Sequence, residues 1–453
     1  MKKVLIANRG EIACRIIRSC KALGLATVAV CSDADAQSRH VAEADESFAL
    51  GGSSPLESYL RVERVLEAAR ATGADAVHPG YGFLAENDTF AREVQAAGMV
   101  WVGPTPESIV DMGDKERARL LAKAAGVPIL PGSARFSPGD DAGLLEAGAA
   151  VGFPLLVKAA AGGGGIGMRR VERLEDLAAA VAATQGMAQR AFGDGTVYLE
   201  RFIARARHVE VQVFGFGDGQ AIHVHERDCS IQRRFQKIVE ESPAPGLPAA
   251  VRDAMFEAAV ALCRQERYRG AGTVEFVVDA DTFAFFFLEM NTRIQVEHPV
   301  SEMNTGLDLV GMQLQLAGGL PLAVRTQSEV VADGHTIECR LYAERPAKGF
   351  LPSTGTLSRL RLPEADDSLR IDCGVREGDT VTHFYDPMIA KVIAHGADRA
   401  AAIERLLAAL EAIEVEGVET NRAFLLRTIA HPAFRDGRVS TGFVDQHKSD
   451  LIG

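Results

Sequence analysis

At 453 residues the chain is roughly two to three times the length of a single-core domain, so it can bury several cores without a disulfide or metal staple. Its 49 Lys and Arg against 61 Asp and Glu leave a formal charge of −12, which excludes a general nucleic-acid or anionic-membrane binder but leaves room for a local basic cleft. Seven cysteines, an odd number without a C-x-x-C pair, exclude a disulfide framework and a zinc knuckle and fit a reducing cytoplasm.

Taken in chain order, the first 112 residues or so alternate apolar runs with helical patterns. KVLIA precedes GEIACRIIRSCKALG, whose Ile12, Ile16, Cys20 and Leu23 share one helical face, and TVAVC follows. This is βα winding on a parallel sheet. The run Val4 to Ala7 is cut by Asn8, Arg9 and Glu11, too short for a signal segment, and no apolar stretch approaches membrane-spanning length. A second helix ends near Gly73, another starts at Asp88, and VWVG closes the unit before the loop PTPES.

Residues 127 to 139, VPILPGSARFSPG, are rich in proline and glycine and read as a hinge. A small lid-like unit follows, with strands at PLLVKA, RRV and VYLE, ending near Phe202. The remainder opens with HVEVQVFGF, turns at GDGQ, returns as AIHVHER and finishes in helices after residue 398, a mixed α+β body.

Lys158 leads directly into Ala159 to Ala161 and the glycines Gly162, Gly163, Gly164, Gly165 and Gly167. Consecutive glycines let backbone N–H groups approach phosphate oxygens. The lysine precedes the glycines, which excludes a Walker A loop. Further on, Glu275 in GTVEF and Glu289 with Asn291 in FLEMN offer carboxylate and amide oxygens of the kind magnesium takes. Glu289, Asn291, Arg293, Gln295 and Glu297 share one parity, so an extended segment would line five polar groups along a wall, with Leu288, Met290, Ile294 and Val296 facing a core. HVEVQV alternates likewise, setting His208, Glu210 and Gln212 opposite three valines. Arg227, Arg233, Arg234 and Lys237 then form a local basic stretch suited to an anion.

Together VLIANRGEIACRI, HPGYGFLAEN, VKAAAGGGGIGM, ERDCSIQRRFQK, GAGTVEF, EMNTRIQVEHPV and FYDPMIAK resemble the biotin carboxylase family in order and spacing over nearly the whole chain. The resemblance implies an α/β and α+β multidomain ATP-grasp fold. It consists of a Rossmann-like N-terminal domain over 1–113, a hinge and lid over 114–203, and a body over 204–453 whose C-terminal region starts at about 335. It implies carboxylation of biotin by ATP and bicarbonate through carboxyphosphate, with Mg2+ or Mn2+.

By the same resemblance, Lys115 and Lys158 contact the ATP phosphates, the glycine loop through Met168 closes over them, and Glu200, Arg201, Phe202 and Ile203 bind the adenine edge. His208 and Gln232 complete the nucleotide pocket. Glu275, Glu289 and Asn291 hold the metal, while Lys237, Arg293, Gln295, Val296 and Glu297 hold bicarbonate. Glu297 is similar to the family's general base, and Arg340 to the group that meets the biotin ureido oxygen.

The chain departs from the family at Phe235, where many members carry histidine and where an aromatic wall is expected to stand in its place. Other departures are Ile166 in the glycine loop, Arg345, and a hairpin between Glu275 and Glu289 about two residues longer than usual. Cys229, inside ERDCS, reads as a small buried thiol. A dehydrogenase is excluded because NRGEIA has one glycine where a dinucleotide fingerprint needs three. A catalytically silent nucleotide-binding subunit and another ATP-grasp ligase are the other readings; retention of Lys237, Arg293, Glu297 and Arg340 weighs against the first. No Ala-Met-Lys-Met biotinylation context occurs, so biotin is expected on a separate carrier protein or on a carrier domain outside this sequence, with a carboxyltransferase as further partner. The carboxyl acceptor and the oligomeric state, a homodimer included, are left open.

Overall fold

The computed structural model describes residues 1–160 and 167–452. The N-terminal unit is a five-stranded sheet of β1 (Lys3–Ile6), β2 (Ala26–Cys31), β3 (Glu46–Ala49), β4 (Ala76–His78) and β5 (Val100–Trp101) in the order β3-β2-β1-β4-β5. All of its pairings are parallel. Helix α1 (Gly10–Ala22) buries Ile12, Ile16 and Cys20 to within 1% exposure, as the helical spacing predicts. The strand order reverses between β1 and β4, and in such sheets a crevice opens beyond the carboxyl ends at that point. Asn8 ties β1 to the segment after β4 there, its Nδ2 donating to Pro79 O at 2.8 Å and Tyr81 O at 2.7 Å. Gly80, at φ +65°, is required there, because a Cβ would lie 2.9 Å from the Asn8 amide nitrogen.

The small unit is a four-stranded antiparallel sheet of β6 (Gly132–Phe136), β7 (Leu155–Ala159), β8 (Met168–Val171) and β9 (Val197–Arg201), ordered β6-β9-β7-β8. Its core joins Leu155, Val157 and Leu199 to Leu177 and Val181 of a helix spanning Leu177–Phe192. The stretch read as a hinge therefore contains an edge strand: β6 pairs with β9, and Pro138 and Gly139 turn the chain after it.

The largest sheet has eight strands, all paired antiparallel. In chain order they are β10 (Ala206–Phe216), β11 (Ala221–Arg233), β12 (Gln236–Ser242), β13 (Arg269–Asp279), β14 (Phe285–Asn291), β15 (His335–Tyr342), β16 (Leu369–Cys373) and β17 (Met388–Gly396). In space they run β14-β13-β10-β11-β12-β15-β17-β16. The β12–β15 ladder, with Val239 opposite Cys339, fuses the body and its C-terminal region into one sheet. One face packs Val209, Val211, Val213 and Phe276 against the helix Ala249–Gln265, and Ile337, Cys339 and Leu341 against the helix Arg399–Ala412. Two-residue periodicity sends His208, Glu210 and Gln212 to the opposite, polar face, in agreement with the alternation read from HVEVQV. All seven cysteines, Cys229 among them, are buried and unpaired. No helix among the described residues is long and apolar enough to cross a membrane.

Candidate active site

Lys237 on β12 is the hub of the polar face. Its ammonium lies 2.6 Å from Glu210 Oε2, 2.9 Å from Glu275 Oε1 and 2.7 Å from Glu297 Oε1. Those carboxylates come from β10, β13 and the residue capping α2 (His298–Thr305). Burial works against the charge on Lys237, and the three carboxylates outweigh it, holding its pKa well above the ordinary lysine value. Glu297 responds in kind: burial raises its pKa, while Lys237, Arg340 and Arg227 pull it below the usual carboxylate range, so it is ionised at neutral pH.

Arg340 on β15 donates from Nε to Glu240 Oε1 at 2.7 Å and from Nη2 to Glu297 Oε2 at 3.0 Å, so each oxygen of Glu297 faces a different cation. Beneath them Arg227, 0% exposed, donates to Glu210, Gln212, Ser301 and Gln295 at 2.7 to 3.0 Å. Gln295 in turn donates to Glu275 at 2.7 Å. Arg293 is held by Glu86 Oε2 at 2.8 Å and by Asn291 Oδ1 at 2.9 Å. The Val296 carbonyl accepts from the fully buried Lys391 at 2.7 Å.

The nucleotide and metal candidates fall into two groups. His208 lies 2.8 Å from Glu275 and 3.0 Å from the Gln232 amide, directly beside the Lys237 cluster. Glu275 and Glu289 stand opposite each other across the β13–β14 ladder. Burial and that facing carboxylate raise the pKa of Glu289, with Lys115 the foremost opposing cation. Two carboxylates forced together beside the Asn291 amide are hard oxygen donors whose repulsion a divalent cation relieves, so these residues fit magnesium. Lys115 opens a helix capped by Asp114.

The second group lies on the small sheet. Lys158 pairs with Glu200 at 2.7 Å, Arg201 donates to Val151 O at 2.8 Å, and the Arg170 guanidinium covers the Phe202 ring at 4.3 Å. Ile203 follows β9, and Gly167 and Met168 lead into β8, where Met168 pairs with Lys158. Gly162, Gly163, Gly164, Gly165 and Ile166 lie outside the described residues. Among the described residues no hydrogen bond or ion pair joins this group to the Lys237 cluster.

Three expectations are corrected. The segment from Glu289 to Glu297 does not stay extended: β14 ends at Asn291, and Glu297 has φ −84° and ψ 8° as it enters α2. Chain reversal, not strand parity, brings Gln295 and Glu297 to Lys237. β14 itself bulges at Leu288, which has no partner between the Glu289–Glu275 and Phe287–Phe276 pairs and is 48% exposed, while Met290 and Ile294 remain in the core. Phe235 forms no aromatic wall; it sits at φ +66° on the β11–β12 turn and is 87% exposed. Arg345 pairs with Glu419 at 2.7 Å.

Residue reading missed Glu86, Glu240, Glu338 and Lys391. The last three sit on β12, β15 and β17, and for Glu338 a signal existed, since Ile337, Glu338, Cys339, Arg340 and Leu341 alternate with period two. A cavity of about 790 Å3 opens beside the cluster, lined by Glu11, Tyr81, Val296, Arg340, Tyr342 and Asp386 among others.

Three family models match the chain: "Biotin carboxylase, N-terminal domain" over residues 1–109, "Carbamoyl-phosphate synthase L chain, ATP binding domain" over 114–325, and "Biotin carboxylase C-terminal domain" over 338–446. Biotin carboxylase 2 of Bacillus subtilis is 47% identical over 445 residues, covering 98% of this chain and 99% of its own. The alpha subunit of mitochondrial methylcrotonoyl-CoA carboxylase from Arabidopsis thaliana is 48% identical over 452 residues, and the chain spans only 61% of that protein's length. The biotin carboxylase domain dimer of Hydrogenobacter thermophilus 2-oxoglutarate carboxylase, solved with MgADP, ADP and bicarbonate, superposes with a TM-score of 0.88 at 42% identity, covering 99% of this chain and 98% of that one.

Proposed function

The chain belongs to the biotin carboxylase family, and from that premise we propose that the Lys237 cluster carboxylates biotin at the expense of ATP. The observation that carries the reading is Glu297, a buried carboxylate held ionised between Lys237 and Arg340 at the edge of a cavity that Arg340 and Val296 line.

Bicarbonate is a poor nucleophile and the γ-phosphoryl repels it. Lys237 and Arg293 fix the anion with charge-assisted bonds, assisted by Gln295 and the backbone at Val296. Glu297 takes the bicarbonate proton as the bicarbonate oxygen attacks the γ-phosphorus and the bond to ADP breaks, giving carboxyphosphate and ADP. Carboxyphosphate then breaks down to CO2 and phosphate; the phosphate takes the biotin N–H proton, Arg340 offers a guanidinium to the ureido oxygen where negative charge develops, and the ureido nitrogen bonds to CO2. Lys158 and Lys115 meet the ATP phosphates, His208 and Gln232 complete the nucleotide pocket, and Glu200 to Ile203 border the adenine. Magnesium, held by Glu275, Glu289 and Asn291, shields phosphate charge when bound. A small sheet closing over the nucleotide keeps water from a labile intermediate.

The domains are assigned as 1–113, 114–203 and 204–453, the last with its C-terminal region from about 335. Biotin arrives on a carrier, and a carboxyltransferase consumes the product; the acceptor is chosen there. Seven buried, unpaired thiols support a reducing cytoplasm. ATP cleavage assayed with and without bicarbonate and free biotin tests the reading. Dependence on both is expected, and cleavage indifferent to both overturns it.

A further inference from the structure

Glu240 and Glu338 face each other across the β12–β15 ladder, and both are 0% exposed. Glu240 Oε1 accepts from Arg340 Nε at 2.7 Å and lies 2.6 Å from its Nη2. Its other oxygen, and both oxygens of Glu338, have no hydrogen-bond partner among the described residues. An ionised carboxylate without a donor is not sustained in such a place; it takes a proton. When two carboxyls face each other, a proton on one supplies the missing donor to the other.

The charged and titratable groups around the pair come from every neighbouring element. They are Cys339, Arg340 and Tyr342 along β15, Lys391 opposite Arg340 on β17, Lys237 on β12, Cys229 on β11, and Glu297 at the start of α2, which packs on β15. Burial raises Glu338 well above the carboxylate range, Lys391 opposes that, and Glu240 adds to it. Burial likewise pushes Glu240 up to about 7 against the pull of Arg340.

We propose that Glu240 and Glu338 share one proton and work as the positioning unit for Arg340, which they hold against Glu297 with N–H donors left for the cavity. The inference rests on the reading that Arg340 meets biotin. With one proton the pair presents a single negative charge to Arg340. With none, two carboxylates would draw the guanidinium toward β12 and away from the cavity.

Three variants of the full chain, Glu338→Gln, Glu338→Leu and Glu240→Gln, test it. Infrared difference spectra of wild type against Glu338→Gln at neutral pH are expected to contain the carbonyl band of a buried carboxylic acid. Glu338→Gln keeps a donor for Glu240 and is expected to hold the KM for free biotin within about twofold. Glu338→Leu removes the donor and should raise that KM on the order of tenfold, with the KM for ATP unchanged. Glu240→Gln takes the pair's single charge away from Arg340, so it should raise the biotin KM as Glu338→Leu does, and it should flatten the fall of biotin-dependent turnover on the alkaline side where the pair loses its last proton. Absence of the acid band, or equal biotin KM values in the Gln and Leu variants of Glu338, overturns the proposal. If wild type itself lacks biotin-dependent ATP cleavage, the functional reading fails instead, and the infrared band alone decides the shared proton.

Discussion

Glu297 and Lys237 are 60 positions apart in sequence and 2.7 Å apart in the structure, with the second oxygen of Glu297 on Arg340. A carboxylate so placed is an acceptor with a low proton affinity at rest. Under the proposed function, bicarbonate at Lys237 and Arg293 would share those cation contacts and so make Glu297 a useful base. Glu297→Gln preserves shape and loses the acceptor charge. Bicarbonate-dependent, biotin-coupled ATP cleavage should fall by about 100-fold or more, with the ATP KM little changed.

Lys237 is the foremost charge lowering the proton affinity of Glu297. In Lys237→Met, Glu297 loses the largest of the charges that lower its pKa, so its pKa rises. The acid limb of the pH–rate profile should move to higher pH in the residual activity. An unmoved limb would show that Lys237 does not tune Glu297.

Acid should destabilise the fold through the same carboxylates. Glu275 and Glu297 have folded pKa values below the ordinary 4.5, so their contribution is fully present above about pH 4.5 and is lost as pH falls toward the folded values. Thermal melting followed at stepwise lower pH should drop below that point. Glu275→Gln should shallow the drop.

Arg227 is fully buried and feeds Glu210, Gln212, Gln295 and Ser301. Arg227→Met leaves Glu210 with one cation in place of two. A loss of about 3–5 kcal/mol is expected, read as a lowered melting temperature or denaturant midpoint.

Phe235, by contrast, is exposed and packs on little, so Phe235→Ala should change stability by less than about 0.5 kcal/mol. Phe235→His adds a polar group on the turn between Gln232 and Lys237. It should lower the KM for ATP; an unchanged KM would mean that this turn stays clear of the nucleotide.

Much of this is legible in the sequence. The period-two alternation in HVEVQV and the helical spacing in GEIACRIIRSCKALG specify which side chains are inward, because apolar burial imposes the period of the backbone that carries it. The βα winding, the β13–β14 acidic hairpin and the strand after Lys158 followed from the same pattern. Strand parity misled past Asn291, where the chain turns into α2. It also could not foresee the bulge that exposes Leu288, since a one-residue insertion in a ladder leaves no mark on composition.

The sequence by itself determined the residue types of the site, its run of cations and carboxylates, and the alternating faces that carry them. Only the tertiary structure decided that Glu210, Glu275 and Glu297 surround Lys237, and that Glu240 and Glu338 stand behind Arg340. These partners lie 27, 38 and 60 positions from Lys237, and 100 positions separate Arg340 from Glu240. Local propensity reaches only a few residues along the chain. Which strand lies beside which is settled by how the whole sheet buries its apolar face, and that choice brings the charges together.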